Sequence, residues 1–154
     1  MQSHGLAPIL GVLKDVYENQ MPFNKFLGIK ILSLKPEKIS VRMDMNEAFI
    51  GNPTKQILHG GVIASILDLT GGLIASVGVL TQMHGATHDE MACRFSKIGT
   101  IDLRVDYLRA GKGDHFVATG TVLRAGNKVA VVRTELHNDK DQLIAASTAS
   151  YIVG

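Results

Sequence analysis

Between Gly60 and Met83 the chain carries a single charged residue, Asp68, and a histidine with two glycines, His59-Gly60-Gly61, stands nine residues ahead of it. Burying a lone carboxylate costs several kcal/mol unless it is paired, hydrogen-bonded or kept for chemistry. The glycines leave bare N–H groups at a helix start, where the dipole favours developing negative charge. Within one helix, Asp68 would be turned about 180° from His59 and lie about 13 Å further along the axis. The two groups cannot meet in one chain. A site using both needs two subunits in an isologous two-fold contact, which yields two identical sites per dimer.

Two plainer readings of this segment stand beside that one. It approaches the roughly 20 apolar residues of a membrane span, but a central Asp, several glycines and the lack of a close Lys/Arg cluster argue against insertion. It could also be a buried core helix whose Asp68 only bonds a backbone amide.

The elements that would position these residues come from patterning. The 154 residues fit one domain, 1–154, large enough to bury a core. A short helical signal covers 8–19, with Leu10, Leu13, Val16 and Tyr17 at three-to-four spacing, so residues 1–20 form an N-terminal helical segment broken by Met21-Pro22-Phe23. Residues 28–34 and 38–45 read as strands around Lys35-Pro36-Glu37, and 46–58 as a loop into the central helix, which ends near Leu80. Beyond the helix, Ile101, Leu103, Val105 and Tyr107 alternate with polar residues. Strands follow over 114–124, 128–138 and 143–153, separated by glycine turns. Short turns imply antiparallel pairing. The predicted class is α+β, an antiparallel sheet curled around one long apolar helix.

A formal charge of +2 with interspersed acids indicates no nucleic-acid footprint. Cys93, the only cysteine, excludes an intrachain disulfide and fits a reducing cytoplasm, and residues 1–17 do not read as an export signal. A cytoplasmic location is expected.

The order strand, strand, loop, His-Gly-Gly helix with Asp68, then Thr100-Ile-Asp-Leu-Arg-Val-Asp-Tyr-Leu-Arg109 and a closing meander resembles the hotdog-fold acyl-CoA thioesterases, in particular the PaaI-like branch. Pro22-Phe23-Asn-Lys-Phe-Leu27-Gly28-Ile29 and Leu143-Ile-Ala-Ala-Ser-Thr-Ala-Ser-Tyr-Ile-Val resemble that branch too. The resemblance implies that Asp68 is the catalytic carboxylate, as base on water or as nucleophile. It implies that His59 and the Gly60 N–H, with Gly61 beside them, receive the thioester carbonyl; one such donor is worth about 2.7 to 4 kcal/mol. It also implies roles for an upstream Asn, here Asn52 with Asn46 as fallback, and for the Thr100 hydroxyl in orienting water. A homotetramer or dimer acting in fatty acid metabolism, without cofactor, is implied as well.

Residues 81–99 look like an insertion relative to shorter relatives, one that could extend the helix, line an acyl tunnel or pack at an oligomer interface. Within it, His84, His88, Asp89 and Cys93 invite a metal reading, which Gly85 weakens by breaking the helix that the spacing needs; the expectation is a polar loop, solvated histidines, a small buried Cys and no metal. His115 and His137 read as structural. Coenzyme A phosphates would meet basic residues on turns, Arg109 and Lys112 at one, Arg124 and Lys128 at the next. The leading function is acyl-CoA hydrolysis. A hydratase or dehydratase, which would pair a His with an acid as proton shuttles, and a non-catalytic acyl-CoA binding module are the alternatives.

Overall fold

The structure is a computed structural model and describes residues 6–154. Helix α1 (Leu6–Asp15) continues into a π-helical turn (Val16–Gln20), so the N-terminal helical signal is realised from Leu6 onward, and residues 1–5 lie outside the described part. The break at Met21 is only one residue long. Pro22 occupies the first turn of a further short helix, α2 (Pro22–Leu27), where its missing N–H costs nothing. Gly28 closes it at φ 66°, a left-handed cap that favours glycine.

The main sheet has β1 (Lys30–Lys35), β2 (Lys38–Asp44), β5 (Gly99–Tyr107), β6 (His115–Ala125), β7 (Val129–Asn138) and β8 (Leu143–Ile152), all antiparallel, in the order β1-β2-β6-β7-β8-β5. A small hairpin, β3 (Ile50–Asn52) with β4 (Ile57–Leu58), occupies the loop before the central helix α3 (Gly60–Leu80). That helix is long and apolar enough to span a membrane by composition alone, yet 67% of its most apolar window is buried in the fold. It is the rod around which the sheet curls.

The concave face carries small residues where the helix approaches: Ala118 and Gly120 on β6, Ala130 on β7, Ala145 and Ala149 on β8. Gly120 is confined on two sides, for a Cβ there would lie 2.3 Å from the Arg133 carbonyl oxygen of the neighbouring β7 and 2.8 Å from Ile74 of α3. No rotamer relieves a clash with backbone. Larger side chains, Val41, Met43, Phe116 and Leu136, fill the space to either side.

Residues 81–99 are not a plain polar loop. They fold into helix α4 (His88–Phe95), started by a capping box in which Thr87 Oγ1 accepts from the Glu90 N–H and the Glu90 carboxylate accepts from the Thr87 N–H. The Arg94 guanidinium donates to the carbonyls of Val153 and Asn127, which pins α4 to the end of the sheet. Cys93 is exposed rather than buried, because it lies on the outer face of this helix. Among the described residues no three His, Cys, Asp or Glu side chains come close enough to share a metal.

Gly120→Ala should lower stability by about 1 to 3 kcal/mol by forcing β6 away from the β7 backbone and from Ile74 of α3. Urea unfolding measures it, and an unchanged midpoint would contradict the close approach.

Candidate active site

The start of α3 is built by its own residues. His59 is the N-cap, and its Nδ1 accepts from the Gly61 N–H at 2.8 Å. A ring accepting at Nδ1 carries its neutral-state proton on Nε2, so the exposed edge of His59 offers a donor. Its backbone N–H bonds the Phe49 carbonyl, and Gly51 on β3 packs so closely beneath it that a Cβ there would lie 2.5 Å from the His59 Cα. Tyr107 on β5 donates its hydroxyl to the Gly60 carbonyl at 2.8 Å. The Gly61 N–H is thus committed to the cap. Among the described residues no group accepts from the Gly60 N–H, which leaves it as the helix-start donor, beside His59 Nε2.

Asp68 sits on the same helix, half-buried, at the opposite end of β5. Thr100 Oγ1 donates to its Oδ1 at 2.9 Å. The Tyr151 hydroxyl lies 3.1 Å from the same oxygen and 2.9 Å from the Asp68 carbonyl. Both hydroxyls converge on Oδ1, and among the described residues none reaches Oδ2. Asp68 therefore does more than accept backbone amides: it is oriented through one oxygen and presents the other.

Thr100 reaches Asp68 because β5 is bulged. Strict alternation would turn Ile101, Leu103, Val105 and Tyr107 toward the helix and Thr100 away. Between Thr100 and Asp102 the register with β8 shifts: Thr100 opposes Tyr151, Asp102 opposes Ser150 and Leu103 opposes Ala149. The extra residue, Ile101, is 56% exposed. A bulge re-aims the side chains that flank it, so Thr100 joins Leu103, Val105 and Tyr107 on the helix face.

Tyr151 is absent from the sequence-predicted set, and its signal is indirect. A Cβ at Gly71 would lie 2.2 Å from the Tyr151 hydroxyl, and one at Gly72 3.3 Å from that of Tyr17. The adjacent glycines of α3 make room for two phenols beside Asp68. Burial, then the Asp68 charge, push the Tyr151 phenol above its ordinary value. Burial is also the main reason that Tyr17 is pushed up, to about 12, with Asp68 adding to it against a lowering contact from Ser76. Tyr151 stays a neutral donor at working pH.

The remaining predicted residues are scattered. Asn52 is on the hairpin beneath His59, but its Oδ1 accepts from the Lys55 N–H at 3.0 Å within its own turn. Asn46 caps a short 3₁₀ turn (Glu47–Phe49), accepting from the Ala48 N–H. Arg109 and Lys112 are exposed near the helix start, where the Gly111 carbonyl receives the Leu58 N–H. Arg124 and Lys128 are at the other end of β6, roughly 30 Å away at the rise of an extended strand. The two basic turns are not neighbours in the fold, although they are consecutive in sequence. His115 and His137 lie on β6 and β7.

An antiparallel sheet wrapped on one helix, with a carboxylate and a glycine helix start at the two ends of its edge strand, defines the class. A family model described as the thioesterase superfamily matches residues 55–145, and the chain belongs to that superfamily. It is 46% identical over 145 residues to the medium/long-chain acyl-CoA thioesterase YigI of Escherichia coli K12, covering 94% of each chain, and 45% identical to the Salmonella typhimurium protein of the same name over the same share. A crystal structure from Shewanella oneidensis, related to the thioesterase superfamily, superposes with TM-score 0.96 at 42% identity, covering 99% of this chain and 100% of that one. A structure from Syntrophus aciditrophicus gives 0.88 at 40% identity, with the same coverage.

The raised phenols set a pH dependence. The folded chain favours neutral Tyr17, so above pH 10 the unfolded chain loses that proton first, and stability falls as pH rises toward 12. Thermal melts across this range should show a shallower decline for Tyr17→Phe than for the wild type. Parallel declines would contradict the buried phenol.

Proposed function

We propose that the protein is an acyl-CoA thioesterase of medium- to long-chain substrates, with each site assembled from two chains. The observation that carries it is the hydroxyl-held Asp68 with Oδ2 presented. On the proposal, Asp68 Oδ2 takes a proton from water as the water oxygen attacks the thioester carbon. Thr100, donating to Oδ1, keeps lone pairs on its own oxygen that can accept from that water. The carbonyl oxygen becomes an oxyanion received by the Gly60 N–H and His59 Nε2–H of the second chain. Collapse of the tetrahedral adduct breaks the C–S bond, and the proton held on Asp68 Oδ2 passes to the leaving CoA thiolate, giving CoA and a carboxylic acid and restoring the carboxylate.

The second chain is needed because α3 runs unbroken from Gly60 through Asp68, which keeps the two groups about 13 Å apart. Strand β5 is an edge of the sheet, and unpaired edges invite another strand. Antiparallel pairing of β5 with its own copy, about a two-fold near Leu103 and Arg104, would lay the partner's Tyr107 and Gly60 against Thr100 and Asp68. The same step would bring the partner's Arg109 and Lys112 to the mouth, favouring this basic turn over Arg124 and Lys128 for the CoA phosphates. A dimer, or a dimer of dimers, follows, and a lone exposed thiol, Cys93, suits a reducing, cytoplasmic location. The hydratase reading loses ground because the relatives 46% and 45% identical to this chain are named acyl-CoA thioesterases.

Asp68→Asn retains the side chain's size and its Oδ1 acceptor but not its basicity. It should lower kcat toward acyl-CoA by roughly 10² to 10⁴, with melting temperature level or raised, since functional carboxylates are held against stability. Thiol release and a thermal melt on one preparation test this. Preserved turnover with lost stability would make Asp68 a structural acceptor and overturn the mechanism.

A further inference from the structure

The main chain and the carboxylate of Asp68 share one donor. The Tyr151 hydroxyl lies 2.9 Å from the Asp68 carbonyl oxygen and 3.1 Å from Oδ1 of the same residue. A phenol has one proton to give, so both acceptors draw on it. Asp68 stands in the middle of α3, where sterics leave a side chain two open χ1 rotamers. A donor fixed at the carbonyl oxygen reaches Oδ1 in only one of them.

The donor itself is immobile. Tyr151 is 1% exposed on β8, with Ala130 of β7 and Thr100 of β5 as its cross-strand neighbours. Its hydroxyl fits against α3 only because residue 71 is glycine, and the Tyr17 phenol stands over the next glycine, Gly72. Thr100, the other donor to Oδ1, is exposed. Water can compete for the Thr100 bond and is shut out from Tyr151.

The two hydroxyls therefore do different work. We infer that Tyr151 is a positioning residue for the reaction, locking Asp68 in the rotamer that presents Oδ2, while Thr100 holds the water. The inference rests on the acyl-CoA reading of the same site. Tyr151 touches neither water nor substrate and acts only through Asp68. A misplaced base slows the chemical step and leaves substrate binding alone.

Tyr151→Phe keeps the ring and removes the hydroxyl. It is compared with wild type in kcat and KM for dodecanoyl-CoA, and in NMR couplings about χ1 of Asp68 in the free protein. The variant should lose roughly tenfold to a hundredfold in kcat, with KM within about twofold, and its Asp68 couplings should change from those of one rotamer to an average. Gly71→Ala, whose Cβ would collide with the phenol oxygen, breaks the same contact from the helix side and should give the same two changes. Thr100→Val should lower kcat with Asp68 still in one rotamer. Tyr17→Phe, which removes a phenol that contacts Ser76, should leave kcat within about twofold.

In an active wild type, either change in Tyr151→Phe without the other overturns the inference. A fall in melting temperature with kcat and couplings unchanged would make the hydroxyl a structural group only. If wild type cleaves no acyl-CoA but the couplings average in Tyr151→Phe, the acyl-CoA reading falls and the lock on Asp68 stands.

Discussion

The structure turns on one carboxylate held by two hydroxyls against an apolar helix. Asp68 needs donors to offset its desolvation, and the fold supplies them from two neighbouring strands at one level, Thr100 on the edge strand β5 and Tyr151 on β8. Each donor has its own structural requirement. Thr100 faces the helix only because Ile101 is bulged outward, and Tyr151 reaches Asp68 only because residue 71 has no side chain. A carboxylate bonded through one oxygen alone is oriented yet still basic at the other, the compromise a positioned base requires.

The second constraint is the rigidity of α3. Its start and its carboxylate are bonded to opposite ends of the same strand, Gly60 by Tyr107 and Asp68 by Thr100. On the proposed function, this geometry gives each chain two half-sites rather than one whole site. The same reading accounts for hydroxyls bonded to the helix at both ends of the edge strand, and a two-fold through its middle would complete two sites at once.

Much of this was legible in the sequence. The long apolar helix announced itself by length and its single charge, and its predicted end near Leu80 is where it ends. The antiparallel order followed from glycine turns, and the helix start at Gly60 from its paired glycines, but the His59 cap that takes up the Gly61 N–H did not. The bulge was not legible, because Ile101, Leu103, Val105 and Tyr107 alternate without a break and only pairing with β8 shows the slip. Tyr151 was hidden for a similar reason: a tyrosine on an inward strand face reads as core until its hydroxyl is seen to have a partner. Helix α4 did have a local signal, Thr87-His-Asp-Glu90, which is a capping box, but the nearby histidines and Gly85 drew the reading toward a loop. The basic turns fell apart spatially because consecutive turns of a meander alternate between the two ends of the sheet.

The most direct measurement is complementation between two inactive chains. Gly60→Pro removes the helix-start N–H at a position where proline suits the helix, and Asp68→Asn removes the base. Each homodimer should lose about 10² or more in kcat toward dodecanoyl-CoA. Co-refolded in equal amounts, they form mixed dimers in which one of the two sites is intact, so activity should recover to about a quarter of wild type per chain. A mixture no more active than the average of the two separate variants would show that Asp68 and Gly60 do not act across a subunit boundary.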